Sequence, residues 1–223
     1  MDDLKVKIID LKESVLEDND QDADKLREEN RGKKIFYVNI MSSPGSGKTT
    51  TLLATIPRIR QEFRVGVMEA DIDSDVDAVT ITKETGVPAV QLHTGGMCHL
   101  DAQMSRQGLQ EIGADDLDLV FLENVGNLVC PAEFDTGAQL DVVILSVPEG
   151  DDKPLKYPLM FEHADVVLVN KIDALPAFDF DLDRFRENVR KRNSDAAVFP
   201  ISAKTGEGVG AWCDFLIDKI RNA

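Results

Sequence analysis

The apolar run Ile35–Met41 leads straight into Ser42-Ser43-Pro44-Gly45-Ser46-Gly47-Lys48-Thr49, and a helical pattern of Leu52, Leu53, Ile56 and Ile59 follows. Strand, glycine-bearing loop and helix in that order form a phosphate-binding loop, which commits the chain to an α/β fold. Gly45 and Gly47 let the backbone curl so that successive N–H groups and the helix N-terminus converge on phosphates. Lys48 can reach the β- and γ-phosphates, and Thr49 can hold Mg²⁺. Gly45, Ser46, Gly47, Lys48, Thr49 and Thr50 are the candidate phosphate-binding residues. Ser42 departs from the glycine that opens the consensus loop, and Pro57 is expected to end or kink the following helix early.

From Lys34 onward, β-rich runs alternate with helix-like stretches. The runs are Ile35–Met41, Val65–Ala70, Ala89–Leu92, Leu117–Glu123, Asp141–Val147, Asp165–Val169 and Ala196–Ile201. Helical patterns fall near Thr49–Arg60, His99–Ile112, Asp181–Arg192 and Gly208–Ile220. This alternation predicts a P-loop NTPase fold: a mostly parallel sheet of about seven strands with helices on both faces and ligands at the carboxyl ends of the strands. A chain of 223 residues suits one such domain, assigned to 34–223. Residues 1–33 are read as an N-terminal helical extension. There Leu4, Ile8, Leu11 and Val15 form a stripe that the acidic run Glu17 to Asp24 interrupts, and no chemistry is assigned to it.

Asn170-Lys171-Ile172-Asp173 directly follows the sixth run and identifies the base. The Asp173 carboxylate can accept from N1–H and the exocyclic amine of guanine, whereas adenine would leave a buried acceptor unpaired. Asn170 can tie this loop to the phosphate loop, and the stem of Lys171 can lie along the base. Ser202-Ala203-Lys204 follows the last run, where the Ala203 N–H can meet the guanine carbonyl. Together these residues predict binding of GTP and GDP. The net charge of −16 argues against nucleic-acid or anionic-membrane partners, and the chain shows no apolar signal segment, so a cytoplasmic location is expected.

Asp71, Asp77 and Glu123 are candidates for the Mg²⁺ shell, since Mg²⁺ takes one or two carboxylates and keeps several waters. Asp77 is placed in a loop-like stretch. Glu123-Asn124-Val125-Gly126 is similar to the Asp-x-x-Gly of GTPase switches, with Gly126 offering an N–H to a γ-phosphate. Lys48, Thr49, Asp77, Glu123 and Gly126 form the candidate catalytic set. The sequence offers no arginine finger or water-positioning glutamine, so slow intrinsic hydrolysis of GTP is expected.

Cys98 and His99 are adjacent, and Cys130 lies seven residues beyond Glu123. Thiolate and imidazole suit Zn²⁺ and Ni²⁺, but free cysteines also serve as small buried hydrophobes, and spacing leaves both readings open. Cys213, beside Trp212 and Phe215 in a helical pattern, reads as core.

Several blocks together resemble the HypB family of hydrogenase nickel-incorporation GTPases, related to the urease nickel GTPases. They are Ser42–Thr50, Cys98-His99-Leu100-Asp101-Ala102, Glu123–Pro131, Glu149-Gly150-Asp151-Asp152-Lys153-Pro154-Leu155-Lys156-Tyr157-Pro158 and the guanine motif. The resemblance implies a GTPase of the SIMIBI class and a GTP-dependent homodimer in which Cys98, His99 and Cys130 build a shared Ni²⁺ or Zn²⁺ site. It also implies a metallochaperone role that delivers nickel to [NiFe]-hydrogenase. The implied partners are a second nickel/zinc accessory protein and the hydrogenase large-subunit precursor. Lys153, in a charged turn after a strand, reads either as reaching across the dimer or as an ordinary solvated lysine. Residues 1–34 contain neither Cys nor His, so the N-terminal nickel-storage segment of many relatives is not expected here. The alternatives are a GTPase serving urease or another metalloenzyme, and a GTP-binding regulatory dimer with a structural zinc.

Overall fold

The computed structural model describes residues 11–72 and 74–223; Leu4, Ile8 and Asp73 lie outside the described residues. Helix α1 (Leu11–Lys33) precedes β1 (Phe36–Ser42), α2 (Lys48–Ile59), β2 (Val65–Asp71), α3 (Val76–Thr85), β3 (Ala89–His93), α4 (Ala102–Glu111) and β4 (Leu119–Glu123). The second half comprises α5 (Cys130–Glu133), β5 (Leu140–Ser146), α6 (Lys153–Lys156), α7 (Pro158–His163), β6 (Val166–Asn170), α8 (Leu182–Arg190), β7 (Ala197–Pro200) and α9 (Val209–Arg221). The seven strands form one sheet in the order β3-β2-β4-β1-β5-β6-β7. Every neighbouring pair is parallel.

The five inner strands, β2, β4, β1, β5 and β6, are buried on both faces, as a doubly covered parallel sheet requires, while the edge strands β3 and β7 are half-buried. Phe36, Val38 and Ile40 of β1 face a core built with Leu52, Ile56, Ile81, Trp212 and Leu216 from α2, α3 and α9. The alternate residues Tyr37 and Met41 join two clusters on the opposite face, beside Leu26 of α1, Leu109 of α4, Phe161 of α7 and Phe185 of α8. Among the described residues no helix is long and apolar enough to cross a membrane.

Helix α1 runs through the acidic segment to Lys33, because Asn19, Ala23, Leu26 and Asn30 form a buried stripe that tertiary contacts stabilise. Three expectations need correction. Pro57 does not stop α2, which runs to Ile59; the proline removes one N–H from the helical ladder, and the buried Thr55, Ile56 and Ile59 hold the last turn against the core. Asp77 stands in the first turn of α3 rather than in a loop. That helix is rich in β-branched residues, which hid it from propensity, and it is held by buried Ala78, Ile81 and Thr85. Finally, α4 starts at Ala102, not His99, because the Asp101 side chain caps it by accepting from the Met104 N–H at 2.8 Å.

Candidate functional site

The phosphate loop connects β1 to α2, and its two glycines take left-handed backbone, with φ of 76° at Gly45 and 99° at Gly47. Gly47 has a second reason to lack a side chain. A Cβ there would lie 2.5 Å from Asn170 Nδ2, which donates to the Ser46 carbonyl at 2.9 Å. Lys171 Nζ donates to the Gly45 carbonyl at 2.6 Å. The loops that follow β1 and β6, two places apart in the sheet, are thereby tied together. Around the same asparagine, Asn170 Oδ1 accepts from the N–H groups of Lys171 at 2.8 Å and Ala203 at 3.1 Å, and the Ser202 hydroxyl donates to Asp173 Oδ1 at 2.7 Å. Asn170, Lys171, Asp173, Ser202 and Ala203 thus form one constellation beside the phosphate loop, with Lys204 next in the chain.

Thr49 Oγ1 donates to Glu123 Oε1 at 2.9 Å, which brings the end of β4 against the start of α2. Carboxylate oxygens of Glu69, Asp77 and Glu123 lie within 4.8 Å of one another. Glu69 and Glu123 are register partners on β2 and β4. Burial pushes the Glu123 carboxyl up to about 7 against the opposing charge of Lys48. Burial also pushes Glu69 up to about 8, with the Glu123 charge adding to the rise. Among the described residues, Glu69 Oε2 and Glu123 Oε2 are buried without a hydrogen-bond partner. Orphaned carboxylate oxygens beside a threonine hydroxyl are a hard-oxygen donor set that fits Mg²⁺.

Glu69 was missed from the sequence; a lone charge inside the apolar strand Val65–Ala70 was the available signal. Asp71, expected in this shell, ends β2 with its Oδ1 accepting from the Ser74 N–H at 2.9 Å. Its charge still raises the carboxyls of Glu69 and Glu123. Gly126 lies against the phosphate loop, where a Cβ would meet Pro44 backbone at 3.2 Å. A second missed residue is Glu149, which accepts from the Ser43 hydroxyl of the phosphate loop and from the Ser146 N–H and hydroxyl.

The segment after Glu123 reaches the cysteines. The Cys98 thiol faces Cys130, and that neighbour, more than burial, raises the Cys98 thiol above its usual range. Cys98 Sγ lies 3.8 Å from His99 Nδ1. The His99 ring stacks on Phe134 with centroids 3.7 Å apart, and burial lowers its pKa, which favours the neutral imidazole that ligates metals. Cys98 thus neighbours both His99 and Cys130, half-buried rather than in the core, but among the described residues the three do not close into a set whose ligand atoms all lie within 4.8 Å of one another, as Glu69, Asp77 and Glu123 do. Cys213 is fully buried in the cluster with Trp212 and Leu216, and burial pushes its thiol up to about 11.

With this geometry in view, the comparisons are specific. The family described as the CobW/HypB/UreG nucleotide-binding domain matches residues 36–200. The hydrogenase maturation factor HypB of Azotobacter chroococcum is 46% identical over 206 residues, covering 92% of this chain and 67% of that protein. The hydrogenase/urease maturation factor HypB of Helicobacter hepaticus is 41% identical, covering 97% of this chain and 90% of that one. The chain thus spans about two thirds of the Azotobacter protein's length and nine tenths of the Helicobacter protein's. Among solved structures, HypB from Helicobacter pylori in complex with nickel superposes with a TM-score of 0.85 at 39% identity, covering 92% of this chain and 96% of that one. The signal recognition particle receptor FtsY of Elizabethkingia anophelis, at 15% identity and a TM-score of 0.59 over 85% of this chain and 66% of its own, shares the fold alone.

Proposed function

Because the chain belongs to the HypB family of hydrogenase maturation factors, we propose that it is a GTP-hydrolysing metallochaperone that carries nickel on Cys98, His99 and Cys130 and delivers it during [NiFe]-hydrogenase maturation. The observation that carries the reading is the continuity of one segment. It begins at Glu123, bonded to Thr49 of the nucleotide site, and ends at Cys130 and Phe134, in contact with Cys98 and His99. A γ-phosphate that draws in Gly126 must move a segment whose far end bears a thiol. Nucleotide state and metal affinity are then linked through one short lever.

Within this reading, Asp173 and the Ala203 N–H select guanine, while Lys48 and the phosphate-loop N–H groups bind the phosphates. Thr49 and Glu123 hold Mg²⁺ with Asp77 and Glu69, and Asp71 stands by the same shell. When bound, Mg²⁺ neutralises charge between the β- and γ-phosphates. The absence of an arginine finger and a water-positioning glutamine from the sequence keeps turnover slow. Residues 34–223 act as the GTPase domain and 1–33 as its extension. The working unit is a GTP-dependent homodimer in the cytoplasm, where thiols stay reduced, and its partners are a second nickel/zinc accessory protein and the hydrogenase large-subunit precursor. Relatives named as hydrogenase/urease factors support service to urease as a second reading.

The test is nickel transfer. Protein loaded with nickel and GTP should give up the metal to a hydrogenase large-subunit precursor as GTP is hydrolysed, and Cys98→Ala or Cys130→Ala should abolish transfer. Equal transfer with GDP throughout, or undiminished transfer by the cysteine variants, would refute the proposal.

A further inference from the structure

The N-terminal helix received no chemistry from its sequence, yet one of its side chains touches both segments that carry the candidate metal ligands. Asn19 is 9% exposed. Its Oδ1 accepts from the Ala102 N–H at 2.9 Å, and its Nδ2 donates to the Asp135 carbonyl at 2.9 Å. Ala102 opens α4, three residues beyond His99, and its N–H has no intrahelical acceptor. Asp135 adjoins Phe134, the ring on which His99 stacks. One amide thus ties Ala102, three residues past His99, to Asp135, one residue past its stacking partner.

Further contacts make the arrangement a clamp rather than a single bond. Arg27 Nη2 makes contacts of 2.8 Å and 2.7 Å with the two Asp135 carboxylate oxygens, and Arg27 Nε donates to the Ala138 carbonyl at 2.9 Å. On the α4 side, Gln103 Nε2 donates to Asp22 at 2.9 Å, and Arg106 pairs with Glu29. Between the loop bearing Cys98 and His99 and the segment bearing Cys130, Asn127 Nδ2 approaches the Cys98 carbonyl at a long 3.5 Å. Helix α1 adds shorter polar contacts to both segments.

We propose that Asn19, supported by Arg27, is a positioning residue that sets the relative placement of the Cys98/His99 and Cys130 segments, so that α1 controls the affinity of the thiolate–imidazole site for nickel. The inference rests on the metal reading above and adds the helix as part of the site's construction. Groups that orient ligands typically change metal affinity by about 10–100-fold when removed.

The experiment titrates Ni²⁺ into the full chain carrying Asn19→Ala, Asn19→Asp or Asn193→Ala and follows the thiolate-to-nickel absorption band. Amide hydrogen exchange is measured in parallel without metal. Asn193 is the control because it also joins two carbonyls, those of Glu162 and Ala164, away from the cysteines. Asn19→Ala should weaken nickel binding about tenfold, shift the band and speed exchange in residues 98–102 and 130–137. GDP affinity should stay unchanged. The isosteric Asn19→Asp keeps the acceptor for Ala102 and loses the donor to Asp135, so it should fall between the two and carries the test if the alanine variant does not fold. Nickel affinity and band unaltered by Asn19→Asp, or altered equally by Asn193→Ala, would overturn the clamp. A missing band in the unaltered protein would instead overturn the metal reading, and the exchange data would still report separately whether Asn19 braces the two segments.

Discussion

Glu69 and Glu123 lie side by side under the nucleotide site, 3% and 2% exposed, with carboxyls raised to about 8 and about 7. In the unfolded chain both titrate near 4.5. Between that value and the folded pKa, the folded protein holds protons that the unfolded chain has released, so without metal its stability falls as pH rises. Each retained proton is worth about 1.4 kcal/mol per pH unit, so raising the pH from about 6 to about 8 should cost roughly 2–3 kcal/mol for Glu69 alone. The two sites are coupled, and their sum is on the order of 3–4 kcal/mol rather than a simple doubling. Glu69→Gln removes one titrating group at nearly constant shape. In urea unfolding with a chelator present, the variant should lose roughly half of the pH slope and be the more stable protein at about pH 8. Added Mg²⁺ should flatten the slope of the unaltered protein and help the variant less. A stability that is flat or rising over that range in chelator, or a slope that Glu69→Gln leaves intact, would refute this account of the acidic cluster.

Gly47→Ala combines left-handed strain with a clash on Asn170, so it should lose the Asn170–Ser46 bond and weaken GDP binding by about 2–3 kcal/mol, or 30–150-fold, measured by calorimetry. Asp173→Asn should reduce discrimination of GDP over ADP by about 1–3 kcal/mol, read from competition binding. Cys98→Ala should keep the fold and GDP affinity while losing the nickel band. Cys213→Ala should do the reverse, lowering the unfolding free energy by about 1 kcal/mol and leaving the band untouched.

The inner strands were legible because both faces of each are buried, which writes them as near-continuous apolar runs. The phosphate and guanine loops were legible because glycine backbone and one carboxylate do work that other residues cannot. What escaped was held by tertiary contact. Half of the buried stripe of α1 is asparagine, at Asn19 and Asn30, so it carries little hydrophobic period, and its acidic outer face reads as a break. The β-branched residues of α3, Val76, Val79, Thr80, Ile81, Thr82 and Thr85, favour extended backbone until Ala78 and Ile81 find the sheet. Glu69 sits in a strand whose neighbours are apolar, and only the β2–β4 register shows that it faces Glu123. The adjacency of Cys98 and Cys130 depends on two loops meeting beyond the strand ends, which spacing suggests and geometry shows.

The claim on which the rest depends is that nucleotide and metal are coupled through residues 123–134. It is tested by measuring nickel affinity from the thiolate band with GDP and then with a non-hydrolysable GTP analogue. The account predicts at least a fivefold difference, about 1 kcal/mol of coupling, and the same factor for the effect of nickel on the two nucleotides' relative affinities. Nickel affinities that are identical in the two states would contradict it.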